Sequence, residues 1–317
     1  MSHKGSSLKK TSKKGDIKMI IDIHAHAYRR KMNPKYNMCD LADLLKFMEI
    51  WGIDKCCVLP IVSPEIYFPQ NPIDIIEMAE QCPDKIIPFC NVDPRSWSNS
   101  PTAPLEKALE FYKELGCKGV GEIMPQLEIR DPKVQNLFRA AEIVGMPVTF
   151  DGSDVHTGGF GVYDDPGLPQ LELSVQRFPN LIFLGHGPVF WSEIARLETP
   201  AERCVGWTFE GKQMGKIYNT GKIKEEGVMP KMLRRYPNLH CDMSDGTAYN
   251  ALTRDEDYIE SFIKEFEDRM YFGTDVVGPG FKVPLIAKLK EWKDRGVITS
   301  TAYNKITHEN AMRLLGL

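Results

Sequence analysis

Short apolar runs alternate along the chain with stretches in which apolar residues recur at helical spacing. The first run reads Met-Ile-Ile-Asp-Ile-His-Ala-His from Met19 to His26, which is typical of a strand buried on both faces of a parallel sheet. Seven more runs predict strands over 54–61, 85–92, 118–123, 147–150, 180–184, 239–243 and 269–272. Apolar residues at helical spacing predict helices over 40–52, 72–79, 104–115, 131–141, 169–178, 258–266, 283–292 and 301–315.

The alternation of strands and helices predicts the fold class. Eight strands separated by helices, with most strand starts roughly 30 residues apart, indicate a βα unit repeated eight times, which closes into a (β/α)₈ TIM barrel. The competing α/β architecture is an open doubly wound sheet, which would place a glycine-rich phosphate loop after the first strand. His24-Ala25-His26-Ala27 occupies that position, so the pattern favours the barrel.

Two stretches exceed what the barrel needs. Residues 191–227, between the sixth and seventh strands, are too long for a bare loop and contain Trp207, Phe209 and Tyr218. Loops after barrel strands build the active-site face, so this insertion is interpreted as a lid or substrate wall; a surface decoration or subunit contact is the alternative. Residues 1–18 hold six lysines and one acid, which predicts a flexible basic tail before a single domain over 19–317. The alternative for the tail is an arm that binds nucleic acid or a membrane surface.

Composition narrows the class of function. A chain of 317 residues with 42% hydrophobic and 26% charged residues is ordinary for a globular protein, and a net charge of −3 argues against a nucleic-acid binder. No run approaches the ~20 apolar residues of a membrane span. The eight cysteines form no Cys-x-x-Cys pair, so we interpret them as reduced packing residues of a cytoplasmic protein, with a catalytic cysteine as the alternative. The expected partner is a small-molecule substrate.

Polar residues with metal-binding side chains stand at the predicted carboxyl ends of the strands, which a barrel gathers at one mouth. These residues are His24, His26, Glu122, Asp151, His186, Asp242, Ser244, Asp245 and Asp275. Imidazole and carboxylate ligands together suit one divalent ion, with Zn²⁺ expected and Mn²⁺ or Fe²⁺ as alternatives. Such an ion lowers the pKa of a bound water to roughly 7. Asp275 is the candidate that takes the proton of this water and later hands it to a leaving group.

Each candidate also has a reading that needs no metal. The histidines of the first strand would then be core residues satisfied by the backbone, Asp275 a helix N-cap, and Asp151 a turn residue before Gly152. Four residues are candidates for contacts with a polar substrate, although core packing or a surface helix would also account for them. They are Trp191, Tyr249, Asn250 and Arg254.

Three motifs in order resemble the amidohydrolase superfamily: His-x-His on the first strand, Gly-His-Gly at 185–187 and Gly-Thr-Asp at 273–275. The sequence is most similar to the amidohydrolase-related branch, which includes aminocarboxymuconate-semialdehyde and resorcylate-type decarboxylases. The resemblance covers nearly the whole chain from Met19, including 306–311. It implies a divalent metal on His24, His26 and Asp275, with His186 beside the metal to polarise or position the substrate, and it implies a homodimer.

Two positions qualify the resemblance. The family usually has a metal-binding histidine at the end of the fifth strand, where this chain has Asp151. In one interpretation Asp151 binds the metal in place of the histidine and makes the site more tolerant of manganese. In the alternatives it contacts the metal through water, the site is weakened, or His156 supplies the ligand instead. A glutamate or carboxylated lysine on the fourth strand holds a metal in many members, which implies that Glu122 is a ligand or a general acid/base. Its alternative is a buried carboxylate tied to the backbone or to Arg130.

These residues support two kinds of enzyme and one kind of binding protein. The leading hypothesis is a metal-dependent hydrolase of a small polar amide, ester or lactone, in which His186 and the metal stabilise the oxyanion. The alternative is a nonoxidative decarboxylase of an aromatic or enoic acid. A cationic anchor near the mouth would favour it, with Arg29, Arg30, Arg130 and Arg254 as the sequence candidates. The third hypothesis is an inert barrel with a binding role.

Overall fold

The computed structural model describes residues 19–31, 37–66, 69–159, 161–199, 202–203 and 219–317. The predicted tail and the aromatic residues predicted to form a lid, Trp207, Phe209 and Tyr218, lie outside these ranges. Within them, no helix combines the length and the hydropathy that crossing a bilayer requires.

Nine strands lie in the described ranges, eight of them in a ring. The strands are β1 (Ile21–Ala25), β2 (Lys55–Val58), β3 (Ile86–Pro88), β4 (Val120–Ile123), β5 (Val148–Ser153), β6 (Val162–Tyr163), β7 (Phe183–His186), β8 (Leu239–Asp242) and β9 (Met270–Tyr271). All pairings are parallel, in the orders β1-β2-β3 and β4-β5-β7-β8-β9. A bridge between Cys90 and Val120 joins the two groups on one side. On the other side, the Ile23 N–H donates to the Phe272 carbonyl, and the barrel is closed.

Helices separate most of the strands as predicted, but the sequence patterns did not predict the helices at Gly187–Ser192, Val228–Arg235 and Asp245–Thr253. The helices are α1 (Leu41–Trp51), α2 (Pro72–Gln81), α3 (Leu105–Glu114), α4 (Pro132–Val144), α5 (Pro169–Arg177), α6 (Gly187–Ser192), α7 (Val228–Arg235), α8 (Asp245–Thr253), α9 (Glu256–Phe266), α10 (Pro284–Arg295), α11 (Ser300–Asn304) and α12 (Asn310–Leu315). Asp40 caps α1 by accepting from the Asp43 N–H, and Gly52 ends it with φ +67°.

The predicted TIM barrel is therefore confirmed, but several boundaries were wrong. Most strands are shorter than their apolar runs, whereas β5 continues past Phe150 to Ser153 and contains Asp151. No apolar run predicted the two-residue β6, which pairs with the end of β5. The last predicted helix is interrupted by a π-helical turn at Lys305–Glu309.

Apolar side chains fill the barrel and the layer outside it. Ile23, Leu59, Phe89, Leu184 and Tyr271 belong to one buried cluster although their strands lie around different sides of the ring, so they meet in its interior. A larger cluster packs the helices onto the strands. The seven described cysteines form no disulfide, and six of them are buried, which agrees with the prediction of packing residues.

Candidate metal centre at the carboxyl ends of the strands

His24 in β1 and His26 directly after it meet two carboxylates from distant parts of the barrel. The Nε2 atoms of His24 and His26 lie 3.1 Å apart. Glu122 Oε2, in β4, is 3.5 Å from the first Nε2 and 3.3 Å from the second. Asp275 Oδ1, after β9, is 3.2 Å from His26 Nε2 and 3.7 Å from His24 Nε2. The barrel thus brings residues from opposite ends of the chain to one point.

The other nitrogen of each ring is held by an acceptor. His24 Nδ1 lies 2.7 Å from Asp242 Oδ2, and His26 Nδ1 lies 2.8 Å from the Leu59 carbonyl oxygen. Because carbonyl and carboxylate oxygens only accept, each Nδ1 carries the hydrogen in a neutral ring and each Nε2 carries the lone pair. This is the arrangement in which an outer hydrogen bond orients an imidazole for metal binding.

His186 completes the cluster from the end of β7. Its Nδ1 is 2.9 Å from Ser244 Oγ, and its Nε2 is 3.6 Å from Glu122 Oε1 and 3.9 Å from Asp275 Oδ2. The ring is 3% exposed. Ser244 therefore fixes the ring so that Nε2 faces both carboxylates.

Asp275 sits in a turn with an unusual backbone conformation. Its φ is +56°, a left-handed value that aspartate tolerates better than most residues. Its N–H donates to the His24 carbonyl at 2.7 Å. The next helix begins only at Pro284, so the alternative reading of Asp275 as a helix N-cap was wrong.

A buried carboxylate, Asp22, ties the same turn to β1. It accepts hydrogen bonds from the Thr274 hydroxyl at 2.6 Å, the Thr274 N–H at 2.9 Å and the His24 N–H at 3.0 Å. Burial raises the pKa of Asp22 to about 7, although the hydrogen bonds from Thr274 act in the opposite direction. The register of β1 against β2 also shifts between Asp22 and Ala25, a bulge of the kind that re-aims side chains beside active sites.

Glu122 is buried, and its backbone is fixed by a side chain from the neighbouring strand end. The Asn91 amide donates to the carbonyl oxygen of Glu122 at 2.5 Å and to that of Pro60 at 3.2 Å. Arg130 pairs with Glu128 instead, so the alternative in which Arg130 neutralises Glu122 was wrong.

Asp151 lies within β5, directly opposite His186 in the register, and is not the turn residue of the alternative reading. It is 4% exposed, and its Oδ1 has no hydrogen-bond partner. A Cβ placed on Gly187 would lie 1.8 Å from this oxygen, so only glycine fits beside it. A buried carboxylate oxygen without a partner is costly, and a nearby cation would satisfy it.

The electrostatics of the cluster show an excess of negative charge. Burial alone would lower the pKa of His24, but the charges of Asp242 and Glu122 outweigh it and raise this pKa well above its ordinary value. Burial likewise opposes the hydrogen bonds that the protonated His26 ring donates to Asp275 and Glu122, which raise the pKa of His26 to about 9. Burial raises the pKa of Asp151 well above its ordinary value, and the charges of Glu122 and Asp275 raise it further. The carboxylates thus favour positive charge at the two rings, which protons or a bound cation would supply.

The donor set fits a divalent ion. In each of two groups, His24 with His26 and Asp275, and His24 with Glu122 and His186, the donor atoms all lie within 4.8 Å of one another. Inward lone pairs on both imidazoles, surrounding carboxylates and the unpartnered Oδ1 of Asp151 are what such an ion requires. The assignment of individual ligands stays a prediction.

Other predicted site residues lie at different places. His156 is exposed and stacks on Tyr163, and no contact directs it toward the cluster. Trp191 is 1% exposed and donates from its indole to the Asp242 carbonyl at 3.0 Å, so it supports the end of β8. Tyr249 and Asn250 line a cavity of about 500 Å³, whereas Arg254 lines another of about 660 Å³. Their roles toward a substrate stay predictions.

Asp245, one of the strand-end residues, begins α8. It is close enough for the charge of Asp275 to add to burial in raising its pKa.

Sequence reasoning missed two residues that position the centre, Asp22 and Asn91, and the role of a third, Asp242. Asp22 orders the turn that carries Asp275, Asp242 orients His24, and Asn91 holds the backbone of Glu122. For Asp22 a signal existed: a carboxylate inside an isoleucine-rich buried strand must find hydrogen-bond partners. Asp242 was recognised as a strand-end residue but not as the partner of His24, since pairing across 218 positions depends on the closed ring.

Comparison with known proteins places this geometry in context. The family model described as amidohydrolase matches residues 21–317. No curated protein matches the chain.

Solved structures with a similar fold include enzymes of two kinds. One is a probable 2-pyrone-4,6-dicarboxylic acid hydrolase from Acinetobacter baumannii (13% identity, TM-score 0.57, covering 94% of this chain and 99% of that one). Another is 2,6-dihydroxybenzoate decarboxylase from Rhizobium (15% identity, TM-score 0.52, covering 94% of this chain and 98% of that one). A third is a 5-carboxyvanillate decarboxylase variant from Novosphingobium aromaticivorans with bound manganese (14% identity, TM-score 0.59, covering 94% of this chain and 97% of that one). At these identities the likeness shows the fold.

Proposed function

The chain belongs to the amidohydrolase family, and from this premise we propose that it is a metal-dependent hydrolase of a small polar amide, ester or lactone. It is an enzyme of the amidohydrolase superfamily, whose members are metal-dependent. The observation that supports hydrolysis is the difference in solvent exposure among the side chains of the cluster. The Asp275 side chain is 21% exposed, whereas those of His26 and Glu122 are 1% and 4% exposed. The candidate base thus faces the side from which water and substrate arrive.

We propose that His24, His26 and Asp275 hold one divalent ion, and that Glu122, His186 and Asp151 complete or flank its site. When bound, the ion supplies a Lewis acid and lowers the pKa of water. Zn²⁺ suits the imidazoles, and three carboxylates make Mn²⁺ the strongest competitor, with Fe²⁺ also compatible. The metal content of the protein purified without chelators, and the activity of the stripped protein reloaded with each ion separately, decide between them.

Asp275 is the residue that we assign to proton transfer. Its backbone is fixed by the bond to the His24 carbonyl, and Asp22 fixes the preceding residue, so the carboxylate keeps its place. In the proposed reaction Asp275 accepts a proton from the attacking water and returns it to the leaving group as the tetrahedral species collapses.

His186 is the residue that we assign to the substrate oxygen. When the Ser244 hydroxyl donates to Nδ1, the ring carries its hydrogen on Nε2. This N–H faces the cluster and donates to the oxygen on which negative charge develops. Its burial keeps competing water away and strengthens the interaction.

Nonoxidative decarboxylation is the second candidate, because the enzymes with a similar fold include two decarboxylases. Such an enzyme would gain from a cationic anchor for the substrate carboxylate. Arg29 pairs with Asp74 and Glu77, and Arg130 pairs with Glu128. In the part of the chain that the structure describes, no lysine or arginine nitrogen lies within 4.0 Å of the carboxylates of Glu122, Asp151 or Asp275. This charge pattern favours a substrate without an ionised group at the reacting centre.

The two candidates are separated by one assay on the metal-loaded protein. A panel of lactones, esters, amides and hydroxybenzoates is incubated, and both acid release and CO₂ release are recorded. Hydrolysis predicts acid release without CO₂, abolished in Asp275→Asn and in His24→Ala/His26→Ala. Release of CO₂ from a hydroxybenzoate, with no hydrolysis of any panel member, would overturn the proposed hydrolase in favour of the decarboxylase.

A further inference from the structure

A cavity different from the two described above opens at the amino-terminal end of β1, away from the metal centre. Its volume is about 470 Å³, which is in the range of small-molecule sites. Met19 and Ile20, which lead into β1, form part of its wall, and the end of α1 and residues of α10 and α11 close the other sides. The centre described above lies at the carboxyl ends of the strands. A ligand in this cavity would therefore not compete for the metal.

Two lysines of α10 contribute positive charge to this cavity. In the described part of the chain, no carboxylate lies within 4.0 Å of the ammonium group of Lys290 or Lys293. Lys293 Nζ lies 4.3 Å from the centre of the Tyr303 ring, a cation–π contact that leaves its hydrogens free to donate. Elsewhere on the same helix, Lys288 and Arg295 are paired with carboxylates.

A histidine also lines this cavity. His308 is 5% exposed as a whole residue. Its Nδ1 is 3.2 Å from Thr307 Oγ1, whose hydrogen already goes to the Tyr303 carbonyl. Its Nε2 makes no hydrogen bond to a described residue, so it adds a polar group that a ligand or solvent can meet.

The rest of the lining fits the apolar body of a ligand. Met19, Ile20 and Ile286 provide aliphatic surface, and the half-buried Trp51 provides an aromatic face. We propose that this cavity is a binding site for a small monocarboxylate with an aromatic or branched body. Its carboxylate meets Lys290 and Lys293, and its body packs on Trp51 and the aliphatic wall.

Two other occupants are less compatible with the charge of the cavity. Residues 1–18 precede Met19 directly, but with six lysines and one acid they would be repelled by Lys290 and Lys293. A second copy of the chain would have to present an acidic apolar segment to the cavity. Binding of that kind would depend on protein concentration, and this separates it from the proposed ligand.

Calorimetric titration with phenylacetate tests the proposal, with the neutral phenylacetamide as the matched probe. The protein is the full chain stripped of metal, and the same titration is made on His24→Ala/His26→Ala. We expect saturable binding of phenylacetate at one site, within about twofold in that variant, and binding of phenylacetamide weaker by about tenfold or more. The Lys290→Gln/Lys293→Gln variant should lose about tenfold in affinity for phenylacetate.

The matched control is Lys107→Gln/Lys264→Gln, which removes the same charge from two exposed lysines elsewhere. It should bind phenylacetate as the unaltered protein does. The proposal is overturned by an absence of binding, by equal affinity for the amide, or by an equal loss in both lysine variants. Affinity that depends on protein concentration would overturn it in favour of contact between copies. Loss of binding in His24→Ala/His26→Ala would overturn it by placing the ligand at the metal centre.

Discussion

His24 and His26 face each other with their Nε2 atoms 3.1 Å apart, while the Nδ1 atom of each ring is bonded to an oxygen that can only accept. Two neutral rings in these tautomers would point their lone pairs at each other, which is repulsive. The nearby carboxylates of Glu122 and Asp275 add negative charge at the same point. The arrangement is stable only with positive charge between the rings, whether protons or a metal ion. Most of the predictions below follow from this relationship.

Asp242→Asn should weaken metal binding while the fold is retained. The carboxylate holds the hydrogen of His24 Nδ1 and so keeps Nε2 free to bind. The amide of asparagine can present nitrogen to the ring and select the other tautomer. Loss of such an outer partner typically costs 10–100-fold in metal affinity. Competition with a chromophoric chelator measures the affinity, and an unchanged value in the folded variant would show that Asp242 does not orient the ring.

Asp22→Asn should affect both stability and activity. The carboxylate accepts four hydrogen bonds, one of them from the Cys56 thiol, and an amide group would turn a donor toward the Thr274 hydroxyl or the His24 N–H. A buried donor left unpaired costs about 1–3 kcal/mol in the free energy of unfolding. The turn that carries Asp275 should also shift and lower kcat. Urea unfolding and steady-state kinetics are the measurements, and a variant equal to the original protein in both would refute this role.

Gly187→Ala should destabilise the protein more than the same substitution at another glycine with a similar backbone conformation. Gly187 has φ +81°, and an added Cβ would meet Asp151 Oδ1 at 1.8 Å. Gly296 ends α10 with φ +77° and has nothing within 4 Å of the same position. Gly296→Ala should therefore show only the left-handed penalty of about 1–2 kcal/mol.

Because of the added overlap, Gly187→Ala should lower the free energy of unfolding by about 1–3 kcal/mol more than Gly296→Ala. Equal losses in urea unfolding would mean that Asp151 moves aside without cost. The carboxylate would then not be held where the structure places it.

The overall fold and the members of the cluster followed from the sequence because both depend on local patterns. Isoleucine-rich runs such as that around His24 predict buried strands, and a barrel gathers strand ends whatever the distance along the chain. This was enough to place His24, His26, Glu122, His186 and Asp275 at one mouth before any distance was known. Their roles as ligands remain predictions.

The supporting interactions did not follow from the sequence, because they depend on register and on the closed ring. The pairing of β1 with β2 shifts in register between Asp22 and Ala25, and the apolar pattern of a single strand does not reveal such a shift. The extension of β5 through Asp151 was hidden because Asp-Gly is also an ordinary turn signal. The pairing of Asp242 with His24 depends on how β8 and β1 face each other across the barrel.

The stability of the barrel should fall below neutral pH through His240. Burial lowers the pKa of His240 to about 3, whereas the unfolded chain has an ordinary value of about 6.5. Between these values the unfolded state binds a proton that the folded state does not, so stability decreases as pH falls from about 6.5. Above that pH the contribution is constant.

His240→Gln removes this titration and keeps groups that can bond the Tyr271 hydroxyl and the Pro237 carbonyl. As the pH is lowered from 6 to 4, the free energy of unfolding should decrease in both proteins. The decrease should be larger in the original protein than in the variant, by about 1.4 kcal/mol for each pH unit. Other titrating groups contribute to both proteins and cancel in the difference. Parallel curves would show that His240 is not buried in its neutral form.

The central claim is that strand ends from distant parts of the chain build one site for a divalent cation. The most direct test is the metal content of the full chain after loading with Zn²⁺ or Mn²⁺ and exhaustive dialysis, compared with His24→Ala/His26→Ala treated in the same way. We predict about one ion per chain in the original protein and less than about one tenth in the variant. Equal metal contents in the two folded proteins, or no retained metal in either, would contradict the account.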